Sequence, residues 1–125
     1  MSIFAIMRIP ELEIFELQAK LCATMGNATR LRIIEVLKVG EASVGAIAEA
    51  LGCTVSTASQ HLRLMRDANL VAGRKDGQAV YYRLRSPKAV EYCQMVRKLL
   101  IEDLHEQGRI ARDNAESGPA AFPRA

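Results

Sequence analysis

The sequence predicts a mainly α-helical fold with one small β-hairpin, and three observations predict it. Apolar residues recur at helical spacing through most of the 125 residues, punctuated by capping and stop residues. One short stretch switches to runs rich in Val and Tyr on either side of Asp76-Gly77. Aromatics are scarce, with 3 Tyr, 3 Phe and no Trp, which disfavours an all-β sandwich or an aromatic ligand pocket. The length suits one compact domain.

Each element follows from local residues. Glu11 to about Met25 reads as a helix with Pro10 just before it. It carries two apolar stripes, Leu12-Phe15-Ala19-Cys22 and Ile14-Leu17-Leu21-Met25. Two stripes call for burial on two sides. Gly26 ends it, and Asn27 can cap a helix over Ala28 to Val39, with Leu31, Ile34, Val36 and Leu37 apolar and Gly40 as its stop. Ser43 opens a short helix, about Val44 to Leu51, ended by Gly52. Thr54 caps the next, about Val55 to Ala68, with Ala58, Leu62 and Met65 facing inward and Asn69 closing it in a left-handed cap. Leu70–Lys75 and Ala79–Leu84 flank Asp76-Gly77, a hairpin signal. Ser86-Pro87 then starts a final helix, about Pro87 to Glu106, with apolar Val90, Cys93, Val96, Leu99, Leu100 and Leu104.

The order is four helices, a hairpin and a fifth helix. Two short helices joined at Gly52-Cys53-Thr54 make a helix-turn-helix unit. A hairpin directly after the second gives a winged helix-turn-helix. Residues 1–10 are expected as an N-terminal arm, 11–106 as the winged domain with dimerisation helices at both ends, and 107–125 as a partly disordered tail.

Charge falls where this architecture would use it. The chain has 17 Lys+Arg and 14 Asp+Glu, a net of +3 too small to name a partner. Residues 1–53 are net −1 and residues 86–125 are neutral, whereas residues 54–85 are net +4. That segment holds only the second helix of the unit and the hairpin. A local basic patch is a footprint for phosphate; the alternative is a solvated charged face.

A helix that reads DNA enters the major groove with small or polar side chains at its leading end. Ser56, Thr57, Ser59, Gln60 and His61 offer hydroxyl, amide and imidazole groups there. Gln60 can pair with adenine, His61 can donate to a base or phosphate, and Arg63 can reach the flanking backbone. Capping and solvation are the competing roles for the hydroxyls. On the hairpin, Arg74, Lys75 and Gln78 would lie against the minor groove or phosphates. Alternation can turn Arg83 and Arg85 toward the protein's acidic residues instead. Double-stranded DNA is therefore the expected partner.

Other classes find little support. There is no Gly-rich phosphate loop, nucleophile elbow, paired catalytic carboxylates or His-metal cluster, so no enzyme is expected. No run suits a membrane span or a signal-peptide core, and three widely spaced cysteines form no secreted disulfide framework. The expected location is the cytoplasm, with no membrane partner. A winged helix used only for protein assembly is the alternative function.

Several segments together resemble the ArsR/SmtB-type winged helix-turn-helix repressors. Asn27-Ala28-Thr29-Arg30-Leu31-Arg32-Ile33-Ile34 is similar to the opening of their second helix. Ser43 to Gly52 resembles their first helix-turn-helix helix, Ser56 to Met65 their recognition helix, and Asn69-Leu70-Val71 with Arg74 to Leu84 their wing. The likeness spans roughly residues 12–105. It implies a homodimeric repressor whose first and last helices form the dimer interface. It also implies an inverted-repeat operator and release by an effector.

The family's usual sensing residues are absent by the same matching. Ser43-Val44-Gly45 stands where a metal-thiolate motif would fall. Ser86, Lys88, Leu99 and Glu102 stand at the metal positions of the last helix, and Glu35 and Ile101 at the sulfur-sensing cysteine pair. Cys22, Cys53 and Cys93 remain as candidate sensing thiols. Thiolates suit a thiophilic ion such as As(III) or Zn(II), or a redox or sulfur signal. Cys53 precedes a helix N-terminus, where the dipole favours the thiolate. The alternative is three small buried hydrophobes. His105 reads as a solvated residue near a helix end.

Overall fold

The computed structural model describes residues 9–108. In chain order the elements are α1 (Ile9–Met25), α2 (Ala28–Leu37), β1 (Ala42–Ser43), α3 (Val44–Leu51), α4 (Val55–Asp67), β2 (Val71–Asp76), β3 (Ala79–Leu84) and α5 (Lys88–Glu106). Two compact units are present, one running to Val90 and the other from Glu91 onward. The first holds α1 to α4 and all three strands; the second holds most of α5. Of the expected arm and tail, residues 1–8 and 109–125 lie outside the described residues.

The caps form as the sequence suggests, because each needs only local residues. Asn27 Oδ1 accepts from the Arg30 N–H, Ser43 Oγ from Ala46 and Thr54 Oγ1 from Thr57, each at 3.1 Å. Ser86 Oγ accepts from the Lys88 N–H at 3.2 Å. Each satisfies an amide that the first helical turn would otherwise leave unbonded. Asn69 adopts φ 61°, the expected left-handed closure of α4. Helix α1 starts earlier than expected, at Ile9, and takes Pro10 into its first turn, where proline's missing N–H has no bond to lose. Helix α2 stops at Leu37, two residues short of Val39.

The sheet holds one strand more than the sequence suggests. Its order is β1-β3-β2, all antiparallel. The two residues of β1 pair Ala42 with Tyr82 and Ser43 with Tyr81, so the approach to α3 becomes an edge of the wing. The hairpin turn is also one residue further on than Asp76-Gly77. Asp76 pairs with Ala79, which leaves Gly77-Gln78 as the two-residue loop. Gly77 has φ 63° while Gln78 stays on the negative side, a pattern that fits a type II′ turn, with glycine at its first central position. On β2, Gly73 faces Tyr82, and a Cβ built there would lie 3.0 Å from the ring's Cε1. Glycine lets the Tyr82 ring lie flat across the strand.

The core of the first unit joins α2, α3, α4 and the sheet. Ile33, Ile34, Ile47, Leu62, Met65 and Val71 are fully buried. Each such side chain contributes roughly 1.5–3 kcal/mol of transfer free energy. Ala58, Leu62 and Met65 face inward as expected. Leu31 does not; it is 37% exposed, and Ile33 takes the interior position on α2. Both stripes of α1 leave large side chains in solvent: Ile14, Phe15, Leu17 and Leu21. Helix α5 likewise exposes Tyr92, Met95, Val96, Leu99, Leu100 and Ile101. No helix among the described residues is long and apolar enough to cross a membrane.

Candidate nucleic-acid interface

Helix α4 presents a polar row to solvent. Ser56, Gln60 and Arg63 follow one another at i, i+4 and i+7, the spacing of one helix face. All three are exposed, and their side chains bond to no other described residue. Ser59 is half-buried beside them, and Val55, 55% exposed, adds an apolar group at the leading end that sequence reasoning passed over. Thr57 is partly committed to the cap, because its hydroxyl accepts from Thr54 Oγ1 at 3.0 Å. The row exists because Ala58, Leu62 and Met65 hold the opposite face of α4 in the core.

His61 is placed differently from its neighbours. It is half-buried, and its Nδ1 accepts a hydrogen bond from Arg30 Nε at 3.2 Å. The same guanidinium donates from Nη1 to the Thr24 carbonyl at 3.1 Å. The imidazole therefore keeps its proton on Nε2, and that edge alone remains to donate outward. Arg30 links the C-terminal turn of α1 to α4, a role no spacing rule disclosed.

The wing divides into two faces by strand alternation. Val71, Gly73, Lys75, Val80, Tyr82 and Leu84 share one; Arg74, Asp76, Tyr81 and Arg83 share the other. Arg74 was expected to be open to DNA. Instead its Nε donates to both Glu41 carboxylate oxygens, at 2.9 and 3.0 Å, and its Nη2 to Oε1 at 2.6 Å. Asp76 lies 3.8 Å from Nη1, and the guanidinium carbon sits 4.7 Å above the centre of the Tyr81 ring. The register explains this: Arg74 faces Tyr81 across the hairpin, and β1 brings Glu41 to the same side. The Arg74 hydrogen bonds hold the Glu41 carboxyl below its ordinary range against some desolvation, with the charges of Arg74 and Arg83 assisting. Glu41 in turn raises the Arg74 pKa. Arg83 is thus one of the cations near an acidic partner, but Arg74 is the one that pairs. Lys75 and Gln78 are exposed, and their side chains bond to no other described residue.

The three cysteines are spread through the fold. Cys22 in α1 and Cys53 in the helix-turn-helix corner are half-buried; Cys93 in α5 is buried. The Cys53 N–H donates to the Ala48 carbonyl at 3.0 Å, closing the α3 terminus. Among the described residues no three His, Cys, Asp or Glu side chains converge as metal ligands. The described donor set therefore does not fit a complete As(III) or Zn(II) site within one chain, which needs three or four ligands.

Comparison with known proteins agrees with this architecture. A family model described as a helix-turn-helix domain matches residues 25–74. The HTH-type transcriptional regulator Rv0081 of Mycobacterium tuberculosis is 32% identical over 108 residues, covering 86% of this chain and 95% of the relative. Its crystal structure superposes with a TM-score of 0.68 at 33% identity, covering 75% of this chain and 95% of that one. Mb0332 of Mycobacterium bovis, solved by NMR, is described as a homodimeric winged helix-turn-helix DNA-binding domain and a possible ArsR-family regulator. It gives a TM-score of 0.68 at 27% identity, over 82% of this chain and 93% of that one. The biofilm growth-associated repressor of Xylella fastidiosa is 33% identical over 73 residues, 58% of this chain and 64% of the relative. These relatives are transcriptional regulators, not enzymes. With that identity over most of its length and the same fold, the chain belongs to the ArsR-type winged helix-turn-helix transcriptional regulators.

Proposed function

We propose that this chain is a cytoplasmic repressor that binds an inverted-repeat DNA operator as a homodimer and leaves it when an effector binds. The observation that carries the DNA contact is the exposed row Ser56, Gln60 and Arg63 on α4, whose side chains have no partner among the described residues, in the same unit as exposed Lys75 and Gln78 on the wing. Ser59, Thr57 and the Nε2 edge of His61 complete the reading surface. The dimer is supported by the large apolar side chains that α1 and α5 each leave in solvent. The arm, the winged domain and the tail keep the limits given above.

The effector acts through Cys22, Cys53 or Cys93. A thiol modification fits the half-buried Cys22 and Cys53; a thiolate metal site needs ligands from more than one subunit or from outside the described residues. The test is binding to genomic DNA fragments, followed by release with As(III), Zn(II), Cu(I), peroxide and persulfide. Each Cys→Ser variant is run beside the wild type. The expected result is salt-dependent capture of a palindromic fragment and loss of release in one variant. Release that is identical in wild type and all three variants excludes thiol sensing. Failure to capture any duplex at low salt would leave a winged helix used for protein assembly.

A further inference from the structure

Glu41 sits outside the basic segment of the sequence, yet its carboxylate meets the wing. Its partner Arg74 uses Nε and Nη2 for the pair. Those two N–H groups form the planar fork with which arginine grips a phosphate in two parallel hydrogen bonds. The other sides of the guanidinium are occupied too, by the Tyr81 ring at 4.7 Å and Asp76 at 3.8 Å. On this face two cations, Arg74 and Arg83, stand with two anions, Glu41 and Asp76, and the charges cancel. Lys75 lies on the opposite face of the hairpin.

We infer that Glu41 sets the DNA affinity of the wing by withholding Arg74 from phosphate, so that Lys75 supplies the wing's electrostatic contact. The inference rests on the DNA-binding reading above. Glu41 and a DNA phosphate are rivals for one fork. While the carboxylate holds it, the Glu41–Arg74 pair is neutral toward DNA, and removing both members changes little. Removing Glu41 alone frees a full phosphate contact.

The experiment measures binding of the full chain to a random-sequence duplex of about 30 base pairs between about 50 and about 200 mM KCl. Each phosphate contact adds about 0.9 to the magnitude of the slope of log K against log salt. Glu41→Gln is expected to bind more tightly and to steepen the slope by about 0.9, so its advantage shrinks about 3.5-fold across that salt range. Arg74→Gln in the Glu41→Gln background is expected to return affinity and slope to the wild-type values. If the double variant instead falls about 0.9 below the wild-type slope, Arg74 already contacts phosphate and the inference is overturned. An unchanged slope in Glu41→Gln overturns it as well. Absence of binding by wild type and Glu41→Gln alike, down to the lowest salt, sinks the DNA-binding reading and the inference with it.

Discussion

Arg30 donates from Nε to His61 Nδ1 at 3.2 Å and so ties the start of α2 to the middle of α4. Because the same side chain also holds the Thr24 carbonyl, the end of α1 and the exposed row of α4 share one anchor. His61→Ala removes the acceptor and leaves a half-buried guanidinium N–H without it. The expected loss is about 1 kcal/mol. Urea unfolding at matched protein concentration checks it; an unchanged midpoint would show that the bond adds nothing to stability.

Two surface substitutions should separate reading from holding. Gln60→Ala is expected to weaken binding to the selected operator by about 1–3 kcal/mol while leaving the salt slope alone. Lys75→Gln should weaken all duplexes alike and lower the slope magnitude by about 0.9. Titrations on operator and random duplexes at several salt concentrations distinguish the two. A salt-slope change in Gln60→Ala would move that residue from base to backbone.

The Glu41–Arg74 pair carries a pH signature. Glu41 titrates below its ordinary value of 4.5 in the folded chain, chiefly because Arg74 hydrogen-bonds its charged form. A lowered carboxyl pKa stabilises the fold above the unfolded value and loses that contribution as pH falls through the folded value. The stability gap between wild type and Glu41→Gln should therefore be present at neutral pH and close in acid, below about pH 4.5. Denaturation midpoints of both proteins across that range test the sign. Both groups are solvent-exposed, so the gap should be small and should shrink with salt.

Gly73→Ala tests the packing of the wing. The new methyl would stand 3.0 Å from Tyr82 Cε1, and Tyr82 is a buried core residue with little room to give. A destabilisation of about 1–3 kcal/mol is expected. A thermal melt that stays put would mean the ring slides aside freely.

Leu99→Asp places a charge among the exposed apolar residues of α5, where Leu99 is 69% exposed. The single chain should fold as before while the proposed dimer dissociates. Sedimentation velocity reads the assembly state and circular dichroism reads the fold. A variant that remains dimeric would place the interface elsewhere.

How far the sequence discloses this fold follows the range of the interactions. Asn27, Ser43, Thr54, Ser86 and Asn69 act on amides or backbone angles within three residues, so their roles were legible. The polar row of α4 was legible for the same reason, since helical spacing separates it from Ala58, Leu62 and Met65. Strand β1 was not, because Ala42-Ser43 has no alternation of its own and becomes a strand only by pairing with Tyr81 and Tyr82. The two site residues with unforeseen partners share that cause. Arg74 meets a carboxylate 33 positions away and His61 a guanidinium 31 positions away, distances at which sequence spacing carries no information.

The corner between α4 and the wing is stitched at one buried residue. The Leu70 N–H donates to the Met65 carbonyl at 2.9 Å, and the Leu70 carbonyl accepts from the Arg85 N–H at 3.1 Å. Frame and lettering are thereby separable. Val55, Ser56, Gln60 and Arg63 take no part in the corner or the core, so descendants of this chain can exchange them and inherit the same posture of helix against hairpin. New target preferences would then arise by respelling one helix face, with no need to rebuild the domain that holds it.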